Sequence, residues 1–235
     1  MTSRVTKHII LRALEANGLD ELTAIARRDK RVVGLLIRAS YDKETLAGWR
    51  AIKAIGRIAK ALVRTDYEFL RDTVRRLLWS LSDESGGIGW AAPEIIGEIV
   101  CADPEKFADV VPLIAEIYDV EEDVFRSGVI YALARVAEID PVRVTKYQKI
   151  IVKSLADKDP VVRINALELV EYLWPVACRN NNWGKEYCSR IMNYIVFMEN
   201  DNKVAWIYKN NGFIDYQVGE VAKKLAKKII DTHIL

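Results

Sequence analysis

Histidine is almost missing from this chain: of 235 residues only His8 and His233 carry an imidazole, one near each end. Ser-His-Asp and Cys-His nucleophilic arrangements need a base beside the nucleophile, so neither can be assembled from the residues between them. Cysteine is scarce as well. Cys101, Cys178 and Cys188 form no CxxC pair, and with so few histidines a zinc site lacks ligands at workable spacing. Buried structural thiols are the expectation, with a Cys178–Cys188 disulfide across Asn180-Asn181-Asn182 as the alternative. No apolar run approaches the roughly 18 to 20 residues of a membrane span, and Arg4, Lys7, His8 and Arg12 interrupt the apolar residues at the start. The expectation is a cytoplasmic protein with no membrane contact. Charge of one sign is also lacking: 35 basic and 33 acidic residues leave +2, which gives no whole-molecule field to draw in nucleic acid.

With only 6 prolines and 12 glycines against 51% apolar residues, long stretches of Ala, Leu, Ile, Val, Arg, Lys and Glu favour an all-α protein with a continuous core. Ser3 to Ala16 and Leu19 to Arg28 read as two short helices separated by an Asn17-Gly18 stop. They form an N-terminal cap over residues 1–29, or a degenerate first repeat. From Lys30 the chain repeats. Each unit is a helix A, a turn carrying aspartate, and a helix B opening on an aromatic residue or Val, in most copies followed by Arg: Trp49-Arg50, Trp90-Ala91, Phe125-Arg126, Val162-Arg163.

The turn aspartates Asp42, Asp83, Asp119 and Asp157 are spaced by 41, 36 and 38 residues. Ile52, Ile55 and Ile58 align with Pro93, Ile96 and Ile99, with Ile130, Leu133 and Val136, and with Leu167, Val170 and Leu173. An amphipathic hairpin alone cannot bury both faces, so consecutive pairs must stack into a solenoid. The expected architecture is a single right-handed α-solenoid of about four helix pairs over 30–174. Residues 175–235 follow as a C-terminal cap. Within it Asn210-Asn211-Gly212 between apolar alternations predicts a β-hairpin over about 203–216.

Asp157-Lys158-Asp159-Pro160-Val161-Val162-Arg163-Ile164-Asn165-Ala166 resembles the D-x-D-P-x-V-R-x-x-A signature of HEAT-like repeats, including the short type named after phycobilisome lyases. Together with the run from Trp79 to Glu98 the chain also resembles a group of small prokaryotic HEAT-repeat proteins to which no reaction is assigned. The resemblance implies helices B on the concave face and an Asp–Arg ladder between units. Ala91 stands where the ladder would have its second arginine, so the ladder should break there.

That break coincides with the most unusual stretch, Asp83-Glu84-Ser85-Gly86-Gly87-Ile88-Gly89-Trp90, an acidic glycine-rich turn between a helix carrying Trp79 and one carrying Glu94 and Glu98. Three readings stay open. In the first the turn only closes the backbone, and Glu94 and Glu98, aligned with Lys53 and Arg57 before them and Tyr131 and Arg135 after, form an ion-pair ladder. In the second the turn and the concave face, with Trp49, Trp79 and Trp90 among mixed charges, bind another protein. In the third Asp83, Glu84, Glu94 and Glu98 hold a metal or small ligand. A HEAT-like DNA glycosylase is a fold analogy opposed by the acidic second repeat. The expectation is a non-catalytic interaction scaffold or adaptor, without cofactor or metal. Its candidate surface is Trp49, Lys53, Arg57, Trp79, Asp83, Glu84, Ser85, Gly86, Gly87, Trp90, Glu94, Glu98 and Arg135.

Overall fold

A computed structural model describes residues 6–81, 90–120, 123–179 and 183–231. The side chains of Val120, Cys178 and Arg179 lie outside the described set, as do Asp83, Glu84, Ser85, Gly86 and Gly87 of the candidate surface. The Cys178–Cys188 pairing therefore also lies outside it.

The expected helix pairs are all present. They are α3 (Arg31–Ala39) with α4 (Leu46–Leu62), α5 (Tyr67–Leu81) with α6 (Ala92–Val100), α7 (Val110–Val120) with α8 (Arg126–Ile139), and α9 (Gln148–Leu155) with α10 (Pro160–Arg179). Before them stand α1 (Lys7–Glu15) and α2 (Leu19–Arg28). After them come α11 (Lys185–Met198), the strands β1 (Val204–Lys209) and β2 (Gly212–Gln217), and α12 (Val218–Asp231). No helix among the described residues is long and apolar enough to cross a membrane.

The second helices of the pairs stack in one row, α2 on α4, α4 on α6, α6 on α8, α8 on α10 and α10 on α12. The two ends therefore continue the solenoid as pairs of their own. The aligned apolar positions are its core: Ile52, Ile55, Ile58, Ile96, Ile99, Ile130, Leu133, Val136, Leu167, Val170 and Leu173 are all essentially sealed from solvent. At the expected stop after Trp174-Pro175 the chain behaves differently, because α10 runs on through Pro175 to Arg179.

The turn chemistry explains the joints. Asp157 accepts from the Asp159 backbone N–H at 2.9 Å, and Asp159 from that of Val161 at 2.8 Å, so the two aspartates order the entry to α10. At α4 the cap is Thr45, whose hydroxyl accepts from Gly48 N–H at 3.1 Å, while Asp42 orders the turn before it. Among the described residues the ladder has two rungs from an arginine to the next unit's aspartate: Arg126 lies 3.6 Å from Asp157, and Arg163 2.8 Å from Asp201. Asp201 heads the turn after α11, which places α11 and α12 in register with the repeats. Arg50 instead donates to the carbonyls of Leu14 and Glu15 at the end of α1.

In α11–α12 the β-hairpin stands where α3–α4 and α9–α10 have a short turn. It pairs antiparallel from Val204 opposite Gln217 to Lys209 opposite Gly212. Asn210 and Asn211 turn the chain with φ of 53° and 64°, the left-handed pair that a tight hairpin turn needs and that asparagine tolerates.

Candidate functional site

Helix α6 is the pivot of the concave row. All nine of its residues are buried, Glu94 and Glu98 included, because small residues let its neighbours close over it. A Cβ on Gly97 would stand 2.6 Å from the Ala132 Cα of α8. On Gly56 of α4 it would meet a Glu98 carboxylate oxygen at 2.5 Å, and on Gly128 of α8 a Glu94 oxygen at 2.5 Å. Helices α4 and α8 thus reach each other across α6: Lys53 Nζ lies 2.5 Å from the Tyr131 hydroxyl, and the Trp49 and Tyr131 rings meet edge-on at 5.3 Å.

Glu98 sits at the centre of this closure. Its Oε1 accepts from Lys53 at 2.7 Å, the Tyr131 hydroxyl at 2.6 Å and Arg135 Nε at 2.9 Å. Burial alone would raise its pKa; the Lys53 and Arg135 charges and the hydrogen bonds from Lys53 and Tyr131 outweigh that and hold the carboxyl below its ordinary value. Burial first, and the Glu98 charge second, push the Tyr131 hydroxyl well above its own. Arg135 also pairs with Glu138.

Glu94 pairs with Lys43 from the turn before α4 at 2.8 Å. Its other oxygen makes no hydrogen bond and lies against the first turn of α8 at Gly128, the positive end of that helix dipole. Glu94 and Glu98 are thus both buried and ion-paired, and Glu98 alone of the two also lines the cleft described below. Arg57 takes no part in this, since it is exposed and pairs with Asp20 at 2.6 Å. Trp79 and Trp90 are exposed, 70% and 46%, and unlike Trp49 neither lines that cleft.

The hairpin does what the sequence did not announce. It folds back over the concave row, and Tyr208 stacks on Trp49 at 5.4 Å with the planes 4° apart. Trp206 stacks in turn on Phe213 at 3.9 Å, and Lys209 reaches Glu168 of α10 at 3.3 Å. Between this roof and helices α4, α6, α8 and α10 lies a cleft of about 540 Å³. Lys53, Glu98, Tyr131 and Arg135 line one wall, and Trp206 to Asn211 another. Cys101 also lines it, with its thiol pushed up to about 12 chiefly by burial, far from the range of a reactive thiolate. Among the described residues, no three His, Cys, Asp or Glu side chains come together as a metal site. Sequence reasoning missed Lys43 and Tyr208; alternation through Val204-Ala205-Trp206-Ile207-Tyr208 marked a strand but not its destination.

No family model matches the chain. An uncharacterized protein of Archaeoglobus fulgidus is 35% identical over 104 residues, which is 44% of this chain and 53% of that relative, so the match spans about half of the relative's length. The crystal structure of an engineered protein superposes with a TM-score of 0.57 at 14% identity, covering 98% of this chain and 93% of the other, a likeness of fold. An archaeal HEAT-like repeats protein from Thermococcus onnurineus NA1 aligns at 14% identity over the full length of both chains, with a TM-score of 0.42. The chain's own stacked helix pairs, aligned core and Asp–Arg rungs carry the conclusion that it is an α-solenoid of HEAT-like repeats.

Proposed function

We propose that this protein is a non-catalytic interaction module that receives a segment of a partner protein in the cleft between its concave helices and its own hairpin. The observation that carries the reading is the roofed cleft of about 540 Å³, within the range of sites that enclose a ligand. Its inner carboxylates are already neutralised, and its thiol is held protonated. Such walls suit recognition better than proton or acyl transfer. A cleft of that size has no room for a duplex, which weighs against the nucleic-acid reading.

A second surface is favoured by exposed Trp79 and Trp90, since exposed tryptophans are frequent interface anchors. One experiment separates the two. Partners are captured from a lysate of the source cells with wild type, with Ala102→Trp, which fills the cleft from a half-buried lining position, and with Trp90→Ala. Loss with Ala102→Trp alone, at an unchanged melting temperature, supports the cleft. Loss with Trp90→Ala alone moves the contact to that second surface, and no specific capture by wild type overturns both.

A further inference from the structure

We infer that the segment taken by the cleft is acidic and extended, that it pairs with the free edge of β1, and that its carboxylates meet Arg57 and Lys60; this rests on the cleft reading above. The charge argument begins with what is already spent. Of the carboxylates lining the cleft, Glu98 is matched by Lys53 and Arg135, Glu138 by Arg135, and Glu168 by Lys209. Arg57 and Lys60 also line it, one turn apart on α4 and both exposed. Arg57 pairs with Asp20, which is exposed and stands outside the cleft lining. The mouth is therefore positive in excess, and an acidic partner gains there while a basic one is repelled.

The shape argument comes from the roof. A strand that offered one face would contribute every second residue; Trp206, Ile207, Tyr208 and Lys209 all line the cleft in succession, so β1 presents its edge. β2 occupies the other edge. Among the described residues no backbone hydrogen bond from another element reaches Val204 to Lys209. Unpaired edge N–H and C=O groups facing a cleft are a template for an added strand, which selects an extended peptide over a compact small anion.

The test uses fluorescence anisotropy of a rhodamine-labelled hexapeptide alternating Glu and Val, beside one alternating Lys and Val and an N-methylated copy of the acidic one, on the full chain. The expected result is binding of the acidic peptide alone, weakened at least about tenfold by Arg57→Glu with Lys60→Glu, and weakened by salt in the wild type. Both substituted residues are exposed, and circular dichroism verifies the fold of the variant. Absent binding of the acidic peptide, equal binding of the basic one, unchanged affinity in the double variant, or full binding of the N-methylated peptide would each overturn the inference. Loss of lysate capture by Ala102→Trp would in that event still leave the cleft reading standing.

Discussion

Trp49, at the start of α4, and Tyr208, in β1, stack almost parallel at 5.4 Å although they belong to opposite ends of the solenoid. The contact lays the last pair's hairpin over an early helix of the row. Glycines at 56, 97 and 128 bring α4, α6 and α8 together beneath it.

Removing the stack should release the roof and not the solenoid. Tyr208→Ala and Trp49→Ala are each expected to cost about 1 kcal/mol beyond the lost apolar contact. Amide exchange should quicken across 204–217 while α6, α8 and α10 stay protected. Equal loosening of the helices would mean that the hairpin is part of the core.

Glu98→Gln should destabilise by about 3 kcal/mol, because it leaves the Lys53 and Arg135 charges against a buried site without their counter-charge. Denaturant unfolding of the variant measures this. A change under about 0.5 kcal/mol, the size expected of a surface pair, would contradict the buried geometry.

Acid should erase that difference. The folded-state pKa of Glu98 lies below the ordinary 4.5, so its stabilisation is complete above the unfolded-state value and is lost as pH falls through the folded one. Wild type should lose stability below about pH 4.5 more steeply than Glu98→Gln. Parallel pH profiles of the two proteins would refute the assignment.

Close packing predicts opposite signs for two glycine substitutions. Gly97→Ala pushes a methyl group into the Ala132 backbone and should cost about 1 to 3 kcal/mol. Gly34→Ala, in the middle of α3 with nothing within 4 Å, should stabilise by about 0.5 to 1 kcal/mol through helix propensity. Thermal melts of the two variants decide it.

The Cys101 thiol, pushed up to about 12, should react with a disulfide reagent at pH 8 far more slowly in the folded protein than in denaturant. A fast reaction of Cys101, located by peptide mapping, would show an opened cleft.

The repeat is legible in the chain alone. The apolar spacing through Ile52, Ile130 and Leu167 and the aspartates at the turns are local signals, each readable within one helix pair, and stacking follows because no pair can bury its faces alone. The Asn210-Asn211-Gly212 turn likewise announced a hairpin from its own backbone preferences. Where Glu94 and Glu98 point and what the hairpin covers follow from long-range packing. The alignment set Arg57 and Arg135 beside Glu98, and Lys53 and Tyr131 beside Glu94; instead Glu98 takes Lys53, Tyr131 and Arg135, Arg57 pairs with Asp20, and Lys43, which had no place in it, takes Glu94. Those outcomes depend on packing between helices that lie far apart in the sequence. A glycine's closeness to a neighbouring helix is not written in its own sequence window.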